Sequence, residues 1–194
     1  MSQVATQDAE WRLPSPRKVA VISLLFAESA LFTIFVVAYL FYIGKSLNPP
    51  YPHDVLEMPI ISSICLLSSS IFIVLAERAM RAGKRAAFLL WWGVTIVLAL
   101  VFLLFTALEW KTLIVDDGLT VSINVFGSTF FALVGLHATH VILGSILLAT
   151  VWIFGATGKL KENHHEQVEM VSWYWHFVDV VWIVVLIVVY MIGR

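Results

Sequence analysis

The chain has 194 residues, and 60% of them are hydrophobic against roughly 45 to 50% in an ordinary soluble domain. Twelve Lys and Arg and thirteen Asp and Glu leave a formal net charge of −1, with long uncharged runs between them. That composition excludes a disordered chain, a soluble α/β enzyme and a basic nucleic-acid binder. The lone Cys65 excludes an intramolecular disulfide framework and a thiolate metal cluster.

A hydrocarbon core of ~30 Å is crossed by roughly 20 apolar residues in helix, because every backbone amide must be satisfied where no water reaches. Five segments meet that requirement: 19–43, 60–76, 86–108, 122–154 and 171–192. They predict an all-α, polytopic membrane helix bundle with five transmembrane helices, divided into a tail over 1–18 and a membrane domain over 19–194. The first segment is too long for a secretory signal, contains Glu28 and is not followed by a convincing cleavage site, so it is expected to stay in the mature protein. Asn48, Pro49, Pro50, Tyr51 and Pro52 then make a rigid connection that cannot continue a helix.

The second segment starts at Pro59, where a helix tolerates proline, and Met58 extends its apolar run. In the third, Trp91, Trp92 and Trp110 read as an aromatic belt and Glu109 as interfacial. The fourth is long enough to tilt strongly or protrude. His164 and His165 follow it in a loop with Lys161, Glu162 and Glu166 and read as solvated. Arg12, Arg17, Lys18, Arg78, Arg81, Lys84, Arg85, Lys159 and Lys161 flank one side of the spans, whereas the other side has only Lys45, Lys111 and Arg194. Cytoplasmic flanks are the ones rich in Lys and Arg, so the N-terminus is expected in the cytoplasm and the C-terminus on the periplasmic or extracellular side.

Glu28, His137, His140, His176 and Asp179 fall inside these apolar segments, where a charge costs at least ~2.5 kcal/mol and a polar group needs a partner. A spacing of three residues places His137 and His140 on one helix face, about 60° apart, and does the same for His176 and Asp179. Two readings of the histidine pair stand: ligands of a metal or haem, or imidazoles hydrogen-bonded across helix interfaces lined by Ser128, Ala132, Gly135 and Gly144. Asp179 is expected to pair with a histidine and fix its tautomer, and a proton relay through His176, Asp179 and Glu28 is the alternative. Glu28 lies ~13 Å into the bilayer, as a buried acid with either a structural or a functional role. The chain has no Gly-rich phosphate loop, G-x-S-x-G or H-E-x-x-H.

Trp175-His176-Phe177-Val178-Asp179-Val180-Val181-Trp182, with Tyr190 downstream, resembles subunit III of haem-copper terminal oxidases. So does Phe126-Gly127-Ser128-Thr129-Phe130-Phe131 leading to Gly135-Leu136-His137-Ala138-Thr139-His140-Val141, with Gly144 beyond. Glu28-Ser29-Ala30-Leu31-Phe32 is similar to the family's acidic residue and the apolar and aromatic positions after it, and the likeness runs from Val19 to the C-terminus. Ala138 and Thr139 depart from it, standing where a glycine usually follows the first histidine.

The resemblance implies a short, five-helix bacterial type that binds no haem, copper or other metal itself and has no catalytic residue of its own. It implies packing against subunit I, with subunit II and small subunits completing an oxygen-reducing, proton-pumping complex, and haem and copper held by the partners. Stabilisation of subunit I, support of proton uptake and binding of phospholipid are implied as well, with Glu28 as the carboxyl that reacts with carbodiimides. A bacterial or archaeal plasma membrane is the expected location, with membrane lipid and no nucleic acid as further partners. Glu rather than Asp at position 28 favours a cytochrome c oxidase over a quinol oxidase, and the small subunits of nitric oxide reductases are similar too. Two rivals of another class are an independent intramembrane metalloprotein using His137, His140, His176 and Asp179, and a proton or solute carrier. The chain lacks the internal repeats and matched broken helices that many carriers show.

Overall fold

The computed structural model describes residues 15–160 and 164–194, so most of the predicted tail, Lys161 and Glu162 lie outside it. The described residues are all-α. Helix α1 spans Pro16–Tyr42, the one-turn α2 Pro52–Val55, α3 Ile60–Arg81, α4 Arg85–Val115, α5 Val125–Ala156 and α6 His165–Val185, which continues as a wider π-helix over Leu186–Ile192. Five of these helices, counting α6 with its extension, are long and apolar enough to cross a membrane. The chain is a multi-pass membrane protein.

Local chemistry sets the helix ends. Ser15 caps α1 by accepting from the Lys18 amide at 3.3 Å, and Pro16 occupies the first helical position, where its missing N–H costs nothing. Asn124 caps α5 by accepting from the Gly127 amide at 2.7 Å, while its amide nitrogen donates to the carbonyls of Asn48 and Pro50 at 2.9 and 3.0 Å. One side chain thus starts a helix and ties down the proline-rich connection. The α3–α4 turn is tight because Gly83, at φ +69°, adopts the left-handed conformation that ends a helix with least strain. Arg85 then donates to the carbonyls of Gly155 and Ala156 at 3.0 and 2.8 Å, closing the last turn of α5.

Inside a bilayer the apolar effect between helices is weak, so association depends on close packing and on polar links. Both are visible. Along α3, Ser69 and Ser63 accept from the indoles of Trp175 and Trp182 at 2.8 and 3.0 Å. Between α4 and α5, Trp92 donates to the Leu148 carbonyl at 2.9 Å and Trp152 to that of Leu89 at 3.0 Å. Trp92 is fully buried, so it belongs to the core rather than to the expected aromatic belt.

Glycines make room for these indoles. At Gly144 a β-carbon would stand 2.9 Å from the six-membered ring of Trp175 and 3.2 Å from Tyr174, so even a methyl group displaces the α5–α6 contact. Gly144→Ala is expected to cost about 1 kcal/mol, the lower end for overpacking, read as a lower unfolding temperature of the purified assembly.

Helix α1 is the outlier. Among the described residues it packs mainly on α5 and on α6 with its extension, and it buries only Phe32 and Tyr39, leaving Phe26, Ile34, Val37 and Phe41 exposed. Its first turn is held by an ion pair between Lys18 and Glu169 at 3.1 Å and by a hydrogen bond from Ser15 to Glu166.

Candidate functional site

The five intramembrane polar residues separate into two clusters and one isolated imidazole. On the α1–α5 side, Glu28 meets His140 at 3.1 Å. The other His140 nitrogen, Nδ1, lies 2.8 Å from the Leu136 carbonyl, which can only accept, so Nδ1 carries a proton. The proton between Nε2 and the carboxyl is therefore either the acid's own or that of an imidazolium, and the same heavy-atom geometry serves both. Phe32 covers the pair, its ring 4.8 Å from that of His140. The Glu28 side chain is a quarter exposed.

On the α3–α6 side, His176 and Asp179 do not touch directly as the sequence suggested. Ser70 stands between them, 2.9 Å from His176 Nδ1 and hydrogen-bonded to Asp179 Oδ2. The three-residue spacing aims both side chains at one neighbour, and that neighbour is a hydroxyl on α3. The second carboxyl oxygen of Asp179 is buried without a hydrogen-bond partner.

His137 corrects a second expectation. It is completely buried and neither ring nitrogen makes a hydrogen bond. Instead it stacks on Trp182 at 5.0 Å and meets the edges of Phe102 at 5.8 Å and Phe32 at 6.5 Å. Glu109, expected at the interface, accepts a hydrogen bond from Tyr190 at 2.9 Å across the bundle. The relay drawn through His176, Asp179 and Glu28 is not continuous in direct contacts, since its members belong to separate clusters.

Among the described residues no three His, Cys, Asp or Glu side chains gather as a metal could use them. Of the intramembrane imidazoles, His140 lies between Glu28 and Leu136, His176 bonds Ser70 through Nδ1, and His137 sits inside an aromatic box. Glu28 with His140, and Ser70 with His176 and Asp179, bridge neighbouring helices.

The sequence model of the family described as cytochrome c oxidase subunit III matches residues 18–194. The chain belongs to this family. Among its relatives, cytochrome c oxidase subunit 3 of the cyanobacterium Synechocystis is 37% identical over 185 residues, which is 92% of this chain and 77% of that protein. The subunit 3 proteins of Schizophyllum commune and the elephant Loxodonta africana are 32% and 36% identical over 88% and 74% of this chain. The chain spans about half the length of several such relatives, 53% for the elephant protein. Each of these relatives is named as a subunit of cytochrome c oxidase.

Proposed function

We propose that this chain is the accessory, non-redox subunit III of a proton-pumping terminal oxidase, of the cytochrome c type rather than the quinol type, in a bacterial plasma membrane. It packs against subunit I, stabilises it, supports proton uptake and holds phospholipid against its exposed helices, while haem and copper reside in the partner subunits. The observation that carries this reading is the use of its intramembrane polar groups as links: Glu28 with His140 ties α1 to α5, and Ser70 with His176 and Asp179 ties α3 to α6.

The exposed surface supports a large partner or lipid on the outside. Phe26 and Ile34 on α1, Ile71 on α3, Val97 on α4 and Ile146 on α5 are each more than half exposed, as suits a protein immersed in hydrocarbon or covered by another membrane subunit. Arg17, Arg78, Arg81, Lys84, Arg85 and Lys159 collect at one end of the bundle, at the start of α1, the α3–α4 turn and the end of α5. We assign that end to the cytoplasm, which puts Arg194 on the outer side.

Copurification from native membranes tests the proposal. An affinity tag on this chain is expected to recover a much larger polypeptide carrying haem and copper, together with oxygen-reducing activity. Stoichiometric metal or haem on this polypeptide alone would overturn it in favour of the metalloprotein reading.

A further inference from the structure

Ser70, His176 and Asp179 form a chain of groups that can each pass a proton on, and the pieces around it give that chain a direction. His176 Nδ1 lies 2.9 Å from Ser70 Oγ, which is itself bonded to Asp179 Oδ2. Asp179 is only 4% exposed, and its Oδ1 has no donor. His176 is half-buried, and its Nε2 makes no bond to the chain and is not among the sealed polar atoms, so that edge stays open. Glu77 lies two turns beyond Ser70 along α3 toward the basic end, ~10 Å by helical rise. It borders a cavity of about 310 Å³ whose other lining residues include Arg81, His165 and Glu169.

We infer that Asp179 is a proton-binding site loaded from the basic end of the bundle through His176 and Ser70, separate from the Glu28–His140 pair. Two arrangements of the cluster keep every hydrogen bond. With Asp179 ionised, His176 Nδ1–H donates to Ser70, and the Ser70 O–H donates to Asp179 Oδ2. With Asp179 neutral, its O–H donates to Ser70, and the Ser70 O–H donates to His176 Nδ1.

The change from the first arrangement to the second is balanced. A proton arriving from the Glu77 side forms an N–H bond at His176 Nε2. The Nδ1–H bond breaks toward Ser70 Oγ, and the original Ser70 O–H bond breaks as its proton passes to Asp179 Oδ2. One proton is gained, the imidazole ends neutral with its proton on Nε2, and the carboxylate becomes an acid. No heavy atom has to move.

Among the described residues the charged and titratable groups around the site are few. Helix α3 contributes Glu77 and Arg81, and α6 contributes His165 and Glu169. Helix α1 contributes Lys18, which is paired with Glu169, and Glu28, which is held by His140 of α5. The remaining α5 histidine, His137, is enclosed by Trp182, Phe102 and Phe32. On α4 the neighbouring polar group is Thr95, bonded to the backbone. Among the described residues Asp179 thus has no cation in contact and one hydroxyl partner, which lets it exchange a proton without breaking an ion pair.

The proposal deepens the proton-uptake part of the function above and is tested in the purified oxidase complex by infrared titration of its protonated carboxyl groups. A carbonyl band that grows as pH falls is expected in the parent complex and in the Glu28→Gln and Glu109→Gln variants, and is expected to be absent from Asp179→Asn. After transfer to heavy water, the hydrogen–deuterium shift of that band should slow by about 100-fold in Ser70→Ala, as when a positioned proton-transfer group is lost. Ser70→Thr should restore it. A serine with a merely structural role would change the unfolding temperature of the complex and leave the exchange rate alone. Survival of the titrating band in Asp179→Asn, or unchanged exchange in Ser70→Ala, overturns the proposal. Haem content and oxygen reduction report the subunit reading separately, so either reading can fail alone.

Discussion

Replacing Trp182 by alanine is expected to lower the stability of the subunit by about 3 kcal/mol, the lower end for truncation of a buried aromatic residue. The indole is 1% exposed, donates to Ser63 at 3.0 Å, meets Phe102 at 4.8 Å and stacks on His137 at 5.0 Å. Its removal opens a void where α3, α4, α5 and α6 converge. Lipid is as apolar as the helix interior, so the loss is one of packing and of the serine bond, with little contribution from transfer out of water. The expected readout is a lower unfolding temperature and loss of this chain from the detergent-purified complex. Trp182→Phe should recover much of the packing and none of the hydrogen bond. If Trp182→Ala unfolded at the parent temperature, the indole would not be the keystone its contacts describe.

The second large effect is a contrast between two histidines one turn apart. His140→Leu strands the Glu28 carboxyl and removes its only cross-helix bond among the described residues, a loss of about 1 to 2 kcal/mol for a hydrogen bond inside a membrane protein. His137→Leu removes a ring with two unpaired nitrogens from an aromatic box and is expected to leave stability unchanged or raise it by about 1 kcal/mol. The comparison requires thermal unfolding of both variants in the same complex. Equal destabilisation by the two substitutions would mean that His137 has a polar partner after all.

That contrast also marks the limit of sequence reading. A spacing of three residues told that His137 and His140 share a helix face, but both lie on it with equal claim to a partner. The rotation of α5 about its axis points His140 at α1 and His137 at the rings of α4 and α6, and that rotation is settled by packing over the whole helix. Ser70 was illegible for a related reason. Serines are common in membrane helices, and nothing local in Ser68-Ser69-Ser70 says which hydroxyl meets α6. Trp92 likewise reads as a belt residue from its place near a span end, whereas the long α4 carries it inside the bundle to the Leu148 carbonyl.

Other features were legible because they depend on composition alone. Five apolar stretches become five long helices whatever their neighbours, since a backbone in hydrocarbon must bond to itself. The basic residues between them mark one end of the bundle, and the Trp175–Trp182 segment with Gly135–Val141 carries the subunit III likeness that the family match shows. The sequence by itself therefore determined the helices, their number and the family. The tertiary structure alone decided which polar groups meet, because a hydrogen bond needs two partners within about 3 Å and linear spacing controls only one of them.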